Sequence, residues 1–133
     1  MSTIDRVEIA DLVSRLGRLL DDKRWEDAHT VFHPEVAIHS PRYGETTGFD
    51  EFLEVMRRTE QPDVLTQHAT TGLLVDLDGD RAAVSANAVN HFYRAGEAPF
   101  RTASLRMDWV VVRTPAGWRV RETRTTVLWI REE

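Results

Sequence analysis

Cysteine is absent from the 133-residue chain, which excludes disulfides, thiolate nucleophiles, Cys-ligated zinc and iron–sulfur clusters. Basic residues are in deficit, 17 against 22 acidic ones, and the resulting charge of −5 argues against a nucleic-acid partner. Lysine is nearly absent, since Lys23 is the only one, a bias typical of high-GC bacterial genomes. The chain also lacks the run of about 18 apolar residues that a membrane span needs and the apolar region of a signal peptide. These absences predict a cytoplasmic protein that contacts neither nucleic acid nor membrane.

The length of 133 residues is close to the average of roughly 150 for one domain. The composition, 41% apolar and 29% charged, is that of an ordinary globular protein. A chain of this size buries about two thirds of its unfolded surface, enough for a core that needs no disulfide or metal. We therefore expect a single domain over residues 1–133.

Helical periodicity marks the first half of the chain. In the first segment, apolar side chains recur every three or four positions, as in a helix with one buried face. Those residues are Ile4, Val7, Ala10, Val13, Leu16, Leu19 and Leu20. Pro34 is expected to stop a second, short helix. The predicted elements are helices at 4–22, 25–32 and 49–59, a strand at 36–39 and a loop around Gly44 and Gly48.

Strand patterns replace the helical period in the second half. Four long strands are predicted at 64–77, 81–95, 100–113 and 118–131, separated by turns at 78–80, 95–97 and 115–117 that contain Gly, Pro or Asp. Short turns make consecutive strands antiparallel neighbours, and twist curls such a meander into a half-barrel. With the helices covering the concave side, the pattern predicts an α+β fold.

The faces of the predicted strands carry few charges. In strand 81–95, even positions from Ala82 to Phe92 and odd positions from Ala83 to Tyr93 are both largely apolar or small. Both faces are therefore expected to be buried, one on the helices and one in a homodimer through the outer face of the sheet. In the last strand, the same period places Glu122, Arg124, Trp118 and Val120 on one face. Polar residues among apolar ones, such as Asn87 and His91, indicate a pocket or pair with one another.

Two histidines lie inside neighbouring strands. His68 lies 11 residues before Gly79 and His91 lies 12 residues after it. Across an antiparallel turn these positions face each other, so the imidazoles are neighbours if they share a face. A catalytic pair and two hydrogen-bonded core histidines are both compatible with this arrangement.

A pair of acids ends the first predicted helix. Asp21 and Asp22 follow Leu19 and Leu20, so one carboxylate can point toward the sheet. A carboxylate against an imidazole orients the ring and raises its basicity, as general-base catalysis requires. The other interpretation is a solvent-exposed helix end. His29 and His33 are four residues apart but lack the HExxH pattern, so no metal site is expected there.

These residues lie in segments that resemble a known family. The runs from Leu20 to Ala28 and from Val31 to Val36 resemble the opening motif of the SnoaL-like proteins, members of the nuclear transport factor 2-like superfamily. The later segments 66–72, 78–82 and 113–120 also match its strands. The resemblance covers nearly the whole chain and implies one SnoaL-like domain. Its fold is a cone of three N-terminal helices packed on a strongly curved mixed, mostly antiparallel sheet.

Within this family the chain looks most like the scytalone-dehydratase-like branch. Asp21, His68 and His91 fall on the three positions that this branch uses for catalysis. The branch also uses tyrosines, whereas Leu20 stands next to Asp21 here. On the first short strand a further tyrosine is replaced by His39 and Ser40, with Tyr43 a few residues on.

The resemblance implies dehydration of a small cyclic or polyketide-like substrate without cofactor or metal. Asp21 would orient His68, which would remove a proton next to a carbonyl, and His91 would protonate the leaving hydroxyl or hold the enolate oxygen. Further hydrogen bonds are expected from Asn87, Ser104, Tyr43 and His39. Apolar walls are expected from Phe32, Val36, Phe49, Phe52, Met56, Val89, Leu105 and Trp109.

Two alternatives remain open from the sequence. A polyketide cyclase or isomerase of this family would use a carboxylate on a late strand as the base, a role that Asp108 beside Trp109 could fill. A non-catalytic dimeric module would use the same polar groups to hold a ligand without turning it over.

Overall fold

Helices and strands are mixed in the first half of residues 2–133, the part of the chain that this computed structural model describes. The helices are α1 (Ser2–Asp22), a 3₁₀ helix (Trp25–Thr30) and α2 (Phe49–Arg58). The strands are β1 (Phe32–Ser40), β2 (Gly44–Thr47), β3 (Leu65–Asp78), β4 (Arg81–Tyr93), β5 (Arg101–Thr114) and β6 (Gly117–Glu132). The predicted α+β class is confirmed. The three helices do not all precede the sheet, because β1 and β2 come before α2.

All six strands form one curved, mixed sheet in the order β2-β1-β6-β5-β4-β3. The pairing of β1 with β6 is parallel and the other four pairings are antiparallel. The four long strands begin and end within two residues of their predicted bounds. No helix in residues 2–133 has both the length and the apolar character to cross a membrane.

The segment around Pro34 differs from its prediction. The expected second α-helix is a 3₁₀ helix that ends at Thr30, and Phe32 is the first residue of β1. Pro34 lies inside this strand, where the pairing with β6 is irregular between Phe32 and Ala37. A proline is tolerated there because the ladder needs no N–H from an unpaired position. The expected loop at Gly44 is strand β2, which pairs with the end of β1.

The core lies between α1, α2 and one face of the sheet, called here the inner face. On β4 this face carries the buried residues Ala82, Val84, Ala86 and Ala88. The apolar side of α1 packs in one cluster with the first three of these through Ile9, Leu12, Val13, Leu16 and Leu19. The opposite, outer face is open in the single chain, where Ala83 and Asn87 are exposed. Burial of both faces is therefore not seen within one chain.

Three further register shifts, in the antiparallel pairings of residues 2–133, interrupt the alternation of faces. The pairing of β3 with β4 shifts between Thr71 and Leu74, and the pairing of β5 with β6 shifts at two further places. One of these makes Arg121 an extra residue, because Val120 pairs with Val111 and Glu122 pairs with Val110. A single extra residue moves all later side chains to the other face. The predicted common face was therefore wrong: Trp118 and Val120 are buried inside, whereas Glu122 and Arg124 lie on the outer face.

An ion pair ties the start of α1 to the sheet. Asp5 Oδ1 accepts hydrogen bonds from Arg113 Nη1 at 3.0 Å and from Trp118 Nε1 at 3.2 Å. The hydrogen bond from Arg113 lowers the pKa of Asp5 below its ordinary value of 3.8. Since the folded protein holds this proton more weakly than the unfolded chain, the ion pair stabilises the fold above that value. The stabilisation is lost as the pH falls through the folded pKa.

Asp5→Asn is therefore expected to be less stable than the wild type at neutral pH and to lose less stability in acid. The difference in unfolding free energy narrows as the pH falls below 3.8. Urea unfolding over a pH series measures it, with the exposed Glu8→Gln as control on the same helix. Parallel pH curves for Asp5→Asn and wild type would contradict the assignment.

Candidate active site

The last turn of α1 brings a carboxylate to a histidine of β3. Lys23 adopts a left-handed conformation (φ 53°) and the Arg24 N–H donates to the Leu19 carbonyl at 3.1 Å, which ends the helix just after Asp21. The Asp21 Oδ1 and His68 Nδ1 atoms are 2.5 Å apart. One turn earlier, a Cβ on Gly17 would lie 3.6 Å from the Cβ of His68. The helix therefore approaches β3 closely at this histidine.

Three donors hold the Asp21 carboxylate. The His68 main-chain N–H donates to Oδ2 at 2.9 Å, the Thr66 hydroxyl donates to Oδ1 at 3.0 Å, and the imidazole takes the third place. The side chains remain partly open to solvent, 17% for Asp21 and 22% for His68. A carboxylate on Nδ1 fixes the proton there and leaves Nε2 as a lone-pair base. Nε2 makes no hydrogen bond within residues 2–133, so it is free for a ligand.

A bulge at Gly72 turns His68 toward Asp21. Near the turn, Asp78 pairs with Arg81. His68 lies ten residues before Asp78 and His91 lies ten residues after Arg81, so an unbroken ladder would pair the two histidines. The bulge at Gly72, whose φ is 64°, shifts the register by one, so His68 pairs with Asn90 instead. Directly opposed residues share a face, which places His68 on the inner face with Asn90.

His91 lies on the outer face. It is opposite Gln67 on β3 and Thr102 on β5, and its Nδ1 is 3.0 Å from the Thr102 hydroxyl oxygen. The expectation that the two imidazoles are neighbours in one pocket is therefore wrong. The cause is the bulge at Gly72, because residues equally distant from the turn face each other only in an unbroken ladder.

Five predicted binding residues also lie on the outer face: His39, Asn87, Val89, Ser104 and Asp108. His39 contacts Glu45 and lies 3.4 Å from Glu122 through Nε2. The Asn87 oxygen accepts from Arg106 Nε at 2.8 Å. Asp108 is exposed and lies opposite Ser85 on β4 and Arg124 on β6 in the strand register. The prediction that these five residues line a pocket with His68 is therefore wrong, and Asp108 cannot act as the base of that site.

The predicted apolar walls belong mainly to the core. Phe32, Phe52 and Trp109 are at least 93% buried among inner-face and helix residues. Tyr43 and Met56 are half-buried at the margin of this cluster, and Tyr43 packs edge-on to Phe52 with the ring centroids 5.7 Å apart.

Surface depressions occur elsewhere. One of about 440 Å³ lies along α2 and one of about 250 Å³ lies on the outer face beside Asp108. Neither is lined by Asp21 or His68, whose side chains are partly exposed. The two other histidines of the predicted second helix separate onto the 3₁₀ helix (His29) and β1 (His33). Within residues 2–133, no cluster of three His, Asp or Glu has the proximity that a metal ion needs.

Asn90 is the site residue that the sequence prediction missed. It pairs with His68 across the ladder, and its Oδ1 atom is buried without a hydrogen-bond partner within residues 2–133. A buried amide oxygen without a partner is costly, so such groups mark ligand or water sites. Gly72 in the middle of a strand was the available signal, because an isolated strand glycine often marks a bulge.

Relatives and solved structures resemble this chain over most of its length. The uncharacterized protein Rv2910c of Mycobacterium tuberculosis is 27% identical over 118 residues, which cover 87% of this chain and 80% of that protein. The Kfla4162 protein of Kribbella flavida is 25% identical, with a TM-score of 0.87 over 98% of this chain and 95% of that one.

Two further structures share the fold at lower identity. A candidate scytalone dehydratase from Novosphingobium aromaticivorans has a TM-score of 0.84 and 14% identity over 99% of this chain and 89% of its own. A type 2 hexachlorocyclohexane dehydrochlorinase (LinA) has a TM-score of 0.85 and 13% identity over 99% of this chain and 90% of its own. The model of the SnoaL-like domain matches residues 1–124. With the curved mixed sheet and the covering helices, this match establishes that the chain belongs to the SnoaL-like domain family.

Proposed function

We propose that the chain is a cofactor-independent lyase that dehydrates a small cyclic or polyketide-like substrate. The contact of 2.5 Å between Asp21 Oδ1 and His68 Nδ1 carries this proposal, because it supplies an oriented base without a metal. Dehydration and dehydrochlorination, named for two proteins of the same fold, are both eliminations in which a proton and a leaving group are lost.

The first step is proton removal by His68 Nε2. Asp21 keeps the imidazole proton on Nδ1 and stabilises the imidazolium that forms. The C–H bond next to the substrate carbonyl breaks and its electron pair moves into an enolate. The side-chain N–H of Asn90, the residue opposite His68 in the ladder, would donate to the enolate oxygen in this proposal.

The second step returns the proton to the leaving group. The enolate electrons form the carbon–carbon double bond while the bond to the β-hydroxyl breaks. The hydroxyl takes the proton from the His68 imidazolium and leaves as water, which restores the neutral base. One histidine therefore performs both transfers on one side of the substrate, since His91 lies on the other face of the sheet.

The test uses two simple ketones. Exchange of the α-protons of cyclohexanone in D₂O, followed by NMR, reports the first step. Conversion of 3-hydroxycyclohexanone to cyclohexenone, followed by enone absorbance, reports both. We expect both rates to exceed the buffer rate, and His91→Gln to keep them within about twofold because its ring is remote. Exchange without dehydration would indicate an isomerase or cyclase, and the absence of both would overturn the proposal.

We also propose that two copies associate through the outer face. That face carries two exposed apolar side chains, Leu74 on β3 (66%) and Trp129 on β6 (52%), and Leu128 next to Trp129 is 51% exposed. Exposed apolar side chains on a sheet face are removed from water when a second copy covers them. Sedimentation is expected to give a dimer for the wild type and a shift toward monomer for Trp129→Arg. A wild-type monomer at all concentrations would contradict this assembly.

A further inference from the structure

Two arginines enclose a phenylalanine at the end of the inner face. Phe92 follows Asn90 by two residues on β4 and therefore points to the same side of the sheet. The guanidinium carbon of Arg42 is 5.1 Å from its ring centroid and that of Arg101 is 5.2 Å away. The Phe92 ring therefore contacts two cations, Arg42 from the turn before β2 and Arg101 from β5.

One edge of the Arg101 guanidinium has no hydrogen-bond acceptor within residues 2–133. Its Nη1 is 2.7 Å from Glu132 Oε1, but its Nε is buried and has no acceptor within residues 2–133. Nη2 makes no hydrogen bond within that range either. Nε and Nη2 lie on one edge of the guanidinium plane, the geometry that binds both oxygens of a carboxylate. A buried charged donor without an acceptor is costly, so an anion there would remove a penalty.

Arg42 adds a second, exposed positive charge. Its side chain has no carboxylate partner within residues 2–133, whereas Arg101 is balanced by Glu132. The three side chains Arg42, Arg101 and Glu132 together carry a charge of +1 in a chain whose net charge is −5. Such a local field favours an anion over a neutral ligand.

The arginine pair lies within reach of the proposed base. Thr66, Phe92 and Arg101 are paired in one row of the sheet, and His68, Asn90 and Ala103 form the next row on the same face. Two strand spacings and two residue steps separate His68 from Arg101, about 12 Å between Cα atoms. A small ring with one substituent spans the space between two side chains at that separation.

We infer that the substrate carries a carboxylate, which Arg101 and Arg42 bind while His68 acts on the ring. This inference rests on the proposed function for the role of His68, but the arginine site stands on its own contacts. Phe92 would contact the apolar ring body and the two guanidiniums would fix the acidic end.

The test compares benzoate with benzamide, which have similar shape and differ in charge. Protein-observed NMR titration follows the amide signals of Phe92 and Arg101. We expect benzoate to bind at least about tenfold more tightly than benzamide, with the largest shifts at these residues. Arg42→Gln and Arg101→Lys should each reduce the preference to about twofold or less, because one removes a charge and the other removes the planar edge.

Two controls separate this inference from its rivals. Arg106→Gln removes a guanidinium from the outer face and should keep the preference. Asp21→Asn should also keep it, so carboxylate binding without ketone turnover would count against the lyase and not against the arginine site. Equal affinities, no benzoate binding, or a preference that survives the Arg42→Gln/Arg101→Lys double variant would each overturn the inference.

Discussion

Asp21→Asn is expected to lower the rates of ketone exchange and dehydration about 10²–10⁴-fold, the range that an oriented acid–base group contributes. The remaining amide oxygen can still accept from the His68 main chain. The new NH₂ group faces Nδ1, however, and donates to it. Nδ1 must then be the unprotonated nitrogen, so the proton moves to Nε2 and removes the lone pair that abstracts the substrate proton.

Stability and tautomer measurements separate this effect from unfolding. The free energy of unfolding should fall by only about 1–2 kcal/mol, because one charged hydrogen-bond acceptor becomes neutral. Nitrogen NMR of His68 should show the proton on Nδ1 in the wild type and on Nε2 in the variant. Asp22→Asn, an exposed neighbour with the same chemical change, is the matched control and should change neither. An active Asp21→Asn protein would disprove the role of the pair.

Gly72→Val is expected to remove activity through the backbone. Gly72 has a φ of 64°, which is strained for a β-branched residue, and a Cβ there would lie 3.3 Å from Asn87 Nδ2. If the bulge persists, the variant loses about 1–3 kcal/mol of unfolding free energy. If the strand relaxes to the unbroken register, His68 turns to the outer face and leaves Asp21. We expect the second result, which abolishes activity, because the first would leave His68 against Asp21 and cost stability alone.

Gly79→Val provides the control for this experiment. Gly79 lies in the turn of the same hairpin with a φ of 62°, and nothing lies within 4 Å of an added Cβ. It shares the backbone strain but not the register role. Both variants should lose stability by urea unfolding, and only Gly72→Val should change the His68 Nδ1 signal. A Gly72→Val protein with wild-type activity and an unchanged His68 signal would contradict the expected relaxation of the register.

The strands of the second half were predictable because their pattern is local. Long alternating runs end at Asp78–Asp80, at Ala95–Glu97 and at Pro115–Gly117, where turn residues leave few alternatives. The region 25–36 was not predictable, because the apolar spacing of a short helix also fits a 3₁₀ turn followed by a strand. Pairing with β6, almost ninety residues later, decides between them.

The site was predictable in its residue types and less so in its geometry. A carboxylate at the end of a helix and a histidine in a strand are visible in the sequence, but their contact joins residues 47 positions apart. The prediction of which face each side chain occupies failed at the bulges, because an extra residue such as Arg121 does not disturb the local pattern on either side. His68 was expected on the same face as His91 and Asp108, whereas the bulge at Gly72 places it on the opposite face.

The position of α1 has a consequence for solubility. β3 is the last strand of the sheet, so its outward main-chain groups have no neighbouring strand. Two side chains of α1 form hydrogen bonds with such groups: Arg6 donates to the Val75 carbonyl at 2.6 Å, and Asp21 accepts from the His68 N–H. A free edge of this kind is a template for chain-to-chain aggregation. The carboxylate assigned to catalysis therefore also covers the edge of the sheet, and its removal would lower the solubility of the protein as well as its activity.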